Sequence, residues 1–139
     1  MTQHVRQPSL PNQAEANKAI VRRYIEEVIN ERHLDVTDEL IAPTFNSLTA
    51  PAHGSEGIKE SIGLFHIAFP DAQVTIEDLI AEGDKVAFRY TMRSMHHEDF
   101  EGIQATDQLV TQTGIGIAQI RDGKIAALWN NIAVLGLLR

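Results

Sequence analysis

Two polar side chains, His96 and Asn131, fall in series with apolar residues at every second position of a predicted strand. Alternate residues of a strand share one face of its sheet, so we expect both side chains among apolar neighbours. The two series are Phe88, Tyr90, Met92, Ser94 and His96, and Ile125, Ala127, Trp129, Asn131 and Ala133. An imidazole titrates near neutral pH and an amide can donate to a developing oxyanion, so the pair suits acid/base chemistry on a carbonyl compound.

A purely structural role is open for the same side chains. A buried polar group is costly unless it is hydrogen-bonded, and His96 and Asn131 could satisfy each other or the backbone. Several large apolar side chains could line a ligand pocket, although their spacing also describes a plain core. These candidates are Phe65, Phe69, Tyr90, Met92, Phe100 and Trp129.

The run His96-His97-Glu98-Asp99 contains metal-ligand types side by side. Neighbouring residues on a strand point to opposite faces and cannot easily converge on one ion, so we predict no metal. The phosphate-binding, dinucleotide-binding, zinc-protease and nucleophilic-serine motifs are missing from the sequence, so those enzyme classes are excluded. Glu98 and Asp99 are alternative carboxylates for a base, but such charged segments are more often solvated.

Helical periodicity dominates the first half of the chain. Paired apolar residues from position 14 to 32 predict an amphipathic helix. A short second helix should end near Ala42, because Pro43 disfavours a helical residue before it. A third helix is predicted from a Ser55 cap to Pro70.

After Pro70 the period changes to alternation, which predicts strands. Turn sequences at residues 82–85 and 122–124 connect two antiparallel hairpins, whose second has strands at 109–121 and 125–135. Three helices followed by antiparallel strands predict an α+β fold, with the helices covering one face of a curved antiparallel sheet.

Length and charge narrow the function classes. The 139 residues suit one domain, which we place at residues 14–139 after a flexible polar tail, 1–13. A net charge of -7 disfavours nucleic acid as a partner, and no apolar run is long enough to cross a membrane. The chain has no cysteine and no signal-peptide pattern, so we expect a cytoplasmic protein.

Six local sequences, in their order and spacing, resemble the SnoaL-like polyketide cyclases of the nuclear-transport-factor-2-like superfamily. The resemblance covers nearly the whole chain after the tail. The sequences are Asn17-Lys18-Ala19-Ile20-Val21-Arg22-Arg23-Tyr24, Ala68-Phe69-Pro70-Asp71, Ala81-Glu82-Gly83-Asp84-Lys85-Val86-Ala87, Phe100-Glu101-Gly102-Ile103, Arg121-Asp122-Gly123-Lys124-Ile125 with Trp129, and Leu135-Gly136-Leu137-Leu138.

The resemblance implies a cone-shaped sheet closed by helices around a pocket for a small, often polycyclic, ligand. The family's cyclases close a ring by aldol condensation without metal or cofactor, using a carboxylate four residues after the tryptophan as acid/base. That position is Ala133 here, and Asn131 occupies a position that is often histidine. His96 matches another family histidine, and His53 falls where many members carry histidine near the pocket mouth.

Because Ala133 cannot transfer a proton, three hypotheses stay open. The chain could be an enzyme for cyclisation, isomerisation or hydration of a small apolar carbonyl compound, with His96 as base and Asn131 or Tyr90 as donor. It could be a ligand-binding protein that kept the pocket and lost the acid. It could also be an interaction module, and under all three we expect a homodimer, since the faces of long antiparallel sheets often pair.

Overall fold

The computed structural model describes residues 11–47, 54–95 and 109–132, which form an α+β fold with three α-helices on a curved five-stranded sheet. The helices are α1 (Pro11–Arg23), α2 (Thr37–Leu40) and α3 (Gly54–Ala68). The strands are β1 (Ile41–Ser47), β2 (Gln73–Glu82), β3 (Lys85–Met95), β4 (Leu109–Arg121) and β5 (Lys124–Ile132). The predicted order of helices and hairpins is confirmed, with one strand added.

The first helix differs from the predicted regular α-helix. It begins at Pro11 and continues beyond Arg23 as a π-helical segment, Tyr24–Asn30. The Glu31 amide donates to the Glu26 carbonyl five residues earlier, and Arg32, two residues after the segment ends, has a positive φ of 64°. No glycine or proline occurs within 24–30, so no such residue in the sequence indicates the change from α-helix to π-helix. The wider turn keeps Tyr24, Ile25 and Val28 buried on one side.

The sheet is mixed rather than wholly antiparallel, which corrects the predicted topology. Its strand order is β1-β5-β4-β3-β2, and β1 runs parallel to β5. Sequence analysis missed β1, which lies between α2 and α3 and contains Pro43. A proline lacks the N–H that a central strand needs, but β1 is an edge strand, where proline is tolerated.

One face of the sheet, which we call the inner face, packs against the helices. Its buried β3 residues are Val86, Phe88, Tyr90, Met92 and Ser94, at the alternating positions predicted. Helical residues Val21, Ile25 and Val28 share a core cluster with several of them. Removal of this apolar surface from water is the main stabilisation of the fold, at roughly 25 cal/mol per Å² buried.

A β-bulge changes which residues of β5 face inward. Ile120 of β4 pairs with Ile125, but the preceding Gln119 pairs with Ala127, so Ala126 is an extra residue. Beyond a one-residue bulge, every side chain moves to the opposite face. Even-numbered residues therefore face inward from Leu128 onward, and the parity predicted for Trp129 and Asn131 is wrong.

Candidate functional site

A hydrogen bond joins two polar side chains of the inner face. The hydroxyl of Tyr90, on β3, donates to Oδ1 of Asn130, on β5, at 2.7 Å. Tyr90 is only 6% exposed, whereas Asn130 is exposed. The pair therefore connects the buried interior of the inner face to a polar group at its solvent-accessible part.

Two glycines of β4 make this contact possible. Gly114 lies opposite Tyr90 and Gly116 opposite Phe88 in the β3–β4 register. A Cβ added at Gly114 would lie 2.4 Å from Cζ and the hydroxyl oxygen of Tyr90, and one at Gly116 would lie 2.4 Å from Cζ of Phe88. The two aromatic rings thus lie directly over the glycine backbone, which lets Tyr90 reach across β4 to the next strand.

A second phenol, Tyr24, approaches the same place from the first helix. Burial raises the pKa of Tyr24, and the nearby Tyr90 raises it further. Burial also raises the pKa of Tyr90, although its hydrogen bond to Asn130 opposes the shift. Both phenols are therefore neutral near pH 7 and able to donate hydrogen bonds.

The amide of Gln112 adds a further polar group to the inner face. Gln112 lies on β4 opposite Met92 and is 4% exposed. Its Nε2 is buried without a hydrogen-bond partner in the part of the chain that the structure describes. An unpaired buried donor costs about 1–3 kcal/mol, so this position is expensive unless something occupies it.

Apolar candidates from the sequence gather beside Gln112. Met92 and Phe69 are buried in a small cluster with Ala68 and Ala72, and half-buried Phe65 packs against it. The rings of Phe65 and Phe69 lie 5.2 Å apart. Tyr90, Met92, Phe65 and Phe69 are thus grouped at the inner face, where their role in ligand binding stays a prediction.

Two other candidates lie on the opposite face. Trp129 pairs with Ile117 and Asn131 pairs with Ile115, both outward residues of β4. Trp129 is 37% exposed and Asn131 is exposed. The bulge at Ala126 is the cause, and it puts Asn130 in the position predicted for Asn131.

Four further candidates, His53, His96, Phe100 and Ala133, lie outside the described residues. The described chain comes close to His96, because β3 ends at Met95. There Oδ1 of Asp71 accepts hydrogen bonds from the Ser94 hydroxyl at 2.6 Å and the Met95 amide at 3.0 Å. These bonds tie the end of β3 to the segment after α3, so the backbone leading to His96 is anchored on its N-terminal side.

Sequence reasoning missed Tyr24, Asn130 and Gln112. Gln112 could have been found, because it continues an alternating series with Gly114, Gly116 and Ala118 on one strand. Asn130 could not, because its orientation depends on the bulge. Tyr24 is one of the paired apolar residues that predict the first helix, and nothing in that pattern marks it as a site residue.

A separate groove of about 530 Å³ lies between the first helix and edge strand β2. It is lined by Arg22, Glu26 and Asn30 and by Val74 to Leu79. Because charged and polar groups dominate this lining, it suits an apolar ligand less well than the inner face does.

Two other kinds of feature are absent from the part of the chain that the structure describes. Within 11–47, 54–95 and 109–132, no three His, Asp or Glu side chains are grouped as metal ligands. No helix among these residues is long and apolar enough to span a membrane.

The described helices and mixed sheet match the nuclear-transport-factor-2-like fold. The profile of the SnoaL-like polyketide cyclases matches residues 19–139, so the chain belongs to this family. No functionally curated protein matches the sequence.

Solved structures agree with this assignment. TsrD from Streptomyces laurentii is 25% identical, with a TM-score of 0.81 over 88% of this chain and 92% of that protein. A SnoaL-like protein from Jannaschia sp. CCS1 is 21% identical, with a TM-score of 0.83 over 96% and 95% of the two chains. A SnoaL-like polyketide cyclase from Agrobacterium tumefaciens C58 is 15% identical, with a TM-score of 0.79 over 88% and 95%. The last two likenesses concern the fold alone.

Proposed function

We propose that the chain binds a small apolar carbonyl compound in a pocket at the inner face and catalyses its cyclisation or isomerisation by cofactor-free acid/base chemistry. The observation that carries this proposal is the Tyr90–Asn130 hydrogen bond among apolar side chains. Polar groups held in an apolar surrounding are typical of small-molecule sites. Family membership supports the proposal independently.

The chemistry follows from the polarity of these groups. In this proposal His96 removes a proton from the carbon next to the carbonyl, and the negative charge moves to the carbonyl oxygen. The Tyr90–Asn130 hydrogen bond fixes an amide on the inner face, and amide N–H groups are able to stabilise such an oxygen. Tyr90 then acts as a positioning residue, and the neutral Tyr24 phenol is a second donor.

Carbon-proton exchange tests this function without knowledge of the substrate. The probe 2-tetralone in deuterium oxide would be followed by NMR for loss of its α-proton signals, with and without protein. We expect catalysed exchange that falls at least tenfold in His96→Gln and several-fold in Tyr90→Phe. Leu64→Ala, an exposed change on α3, is the control that should retain full exchange. Bound 2-tetralone with only background exchange would contradict catalysis.

The second candidate is a non-catalytic ligand-binding module with the same fold. Ala133 favours it, because alanine stands where the family's acid is expected. The same experiment separates the two candidates: saturable binding of 2-tetralone without exchange supports the binding module. Absence of both binding and exchange supports an interaction module.

We also propose that two copies associate through the outer face of the sheet. The exposed apolar residues Ile80, Ile117 and Trp129 lie on this face in one cross-strand row, with Ala87 between Ile80 and Ile117, and Ile115 is two residues from Ile117 along β4. Arg89 beside this patch is paired with Asp78 at 2.7 Å, so two facing patches would not repel. A contiguous exposed apolar patch is typical of a protein interface, and a self-complementary one gives a two-fold dimer.

Trp129 is the only tryptophan, so its emission reports on this interface. We expect a dimer in analytical ultracentrifugation and a blue shift of emission as protein concentration rises. Ile117→Lys should give monomers, whereas Leu64→Lys, at an exposed apolar position on α3, should not. Wild-type protein that remains monomeric at high concentration would refute the proposal.

A further inference from the structure

The unpaired Gln112 amide indicates which polar group a ligand of this site should carry. Two described residues have a buried side-chain polar atom without a hydrogen-bond partner: Gln112, through Nε2, and Thr37, through Oγ1. Gln112 is on the inner face, opposite Met92. Thr37 begins α2 and is fully buried there, away from the strand register that forms the site.

The strand register gives the distance along β4 between Gln112 and the residue beneath the Tyr90 ring. Gln112 is two residues along β4 from Gly114, the residue over which the Tyr90 ring lies. Residues two apart on a strand are separated by roughly 7 Å. The unpaired amide therefore starts from a backbone position about 7 Å along β4 from the one beneath the Tyr90 ring, on the same face and opposite Met92.

The polarity of the unpaired atom sets the chemistry of its partner. Nε2 carries two N–H donors and cannot accept a hydrogen bond. A buried donor without a partner lowers the stability of the free protein, and a ligand oxygen would satisfy it. A ligand that offered only another donor at this point would leave both groups unpaired.

We propose that Gln112 is the ligand-recognition donor of the site, and that it selects apolar compounds carrying a carbonyl or enolate oxygen over equally shaped compounds without an acceptor. This inference rests on the proposed function, because it assumes that the inner face binds a small molecule. It assigns specificity to Gln112 and leaves the proton-transfer step to other groups.

Three tricyclic probes of nearly equal shape test this assignment. Fluorene offers no polar group, 9-fluorenone offers an acceptor, and carbazole offers an N–H donor. We expect wild-type protein to bind 9-fluorenone roughly tenfold more tightly than fluorene, which corresponds to about 1.4 kcal/mol. Carbazole should bind no better than fluorene. Affinities would be measured by fluorescence or NMR titration.

Two variants locate the effect. Gln112→Met keeps the length of the side chain and removes the amide, so it should bind fluorene normally and lose the preference for 9-fluorenone. Without ligand its urea midpoint should rise, because an unpaired buried donor has been removed. Thr37→Val removes the other unpaired buried group and should raise the midpoint while it retains the 9-fluorenone preference.

Each outcome decides the inference. Equal binding of the three probes, a preference for carbazole, or a falling midpoint in Gln112→Met overturns the role of Gln112 and leaves the proposed function intact. A preference that persists in Gln112→Met does the same. Failure of all three probes to bind contradicts the proposed function and the inference together.

Discussion

The hydroxyl of Tyr90 reaches across an entire strand, β4, to donate a 2.7 Å hydrogen bond to Asn130 on β5. Neighbouring strands are about 4.8 Å apart, so the side chain must lie nearly flat on the sheet to do this. It does so because Gly114 and Gly116 present backbone without a side chain beneath the rings. Three strands are thus joined at one point by an aromatic ring, a glycine and an amide.

We expect Gly114→Ala to destabilise the protein by about 1–3 kcal/mol, because the new Cβ would collide with the Tyr90 ring. Urea denaturation would measure the change. Gly63→Ala is the control, since a Cβ there meets nothing within 4 Å on α3. It should stabilise the protein by roughly 0.5–1 kcal/mol, because alanine has the higher helix propensity. Equal effects of the two substitutions would show that the ring does not lie over Gly114.

A double-mutant cycle measures the Tyr90–Asn130 bond. Tyr90→Phe and Asn130→Ala should each destabilise the protein, with a coupling free energy of about 1 kcal/mol between them. The matched cycle pairs Tyr90→Phe with Asn131→Ala, one residue away on the outer face, and should be additive. Coupling to Asn131 instead of Asn130 would mean that β5 lacks the bulge and that the parity predicted from the sequence is right.

The helices and strands that were predicted correctly have apolar residues at regular, uninterrupted spacing. The alternation of Phe88, Tyr90 and Met92 located an inner face correctly, and the Asp122-Gly123 turn located the last hairpin. Asp122 and Gly123 both have positive φ, as the tight turns that join such strands require. Local patterns of this kind are set by burial and backbone sterics, which the sequence expresses directly.

The features that were missed depend on pairing between distant strands. Alanine is not a residue type that favours a bulge. Ala126 is the extra residue only because Gln119 and Ile120 of β4 pair with the residues on either side of it. Strand β1 is recognisable from its parallel pairing with β5, not from its own short sequence with Pro43. Consequently Asn130 replaced Asn131 at the candidate site, although both belong to the same Asn-Asn dipeptide.

Asn30, the last residue of the π-helical segment, should prove important for the edge of the sheet. Its Nδ2 donates to the Val74 carbonyl at 2.9 Å, and its Oδ1 accepts from the Val74 amide at 2.8 Å, as a neighbouring strand would. Asn30→Ala leaves both backbone groups without these bonds and should cost about 1–3 kcal/mol. The Val74 amide should also exchange faster with deuterium.

Asn30→Asp tests the two bonds separately, because it keeps the acceptor and removes the donor. The carboxylate still accepts from the Val74 amide but faces the Val74 carbonyl without a donor, so the loss at pH 7 should match or exceed that of Asn30→Ala. Protonation at low pH restores a donor, and the deficit relative to wild type should then shrink. A deficit independent of pH would contradict the two-bond arrangement.

His66 should make stability depend on pH below neutrality. Its Nε2 lies 2.9 Å from the Ile29 carbonyl oxygen, to which it must donate, and burial lowers its pKa below the ordinary value of 6.5. The unfolded chain therefore binds a proton more readily than the folded chain does. The contribution of His66 is fully present above pH 6.5 and is lost as pH falls through the lowered folded pKa. We expect urea midpoints to fall as the pH drops below 6.5, and to fall less in His66→Gln, whose amide can still donate to Ile29. An NMR titration that found the pKa of His66 above 6.5 would reverse the sign of this prediction.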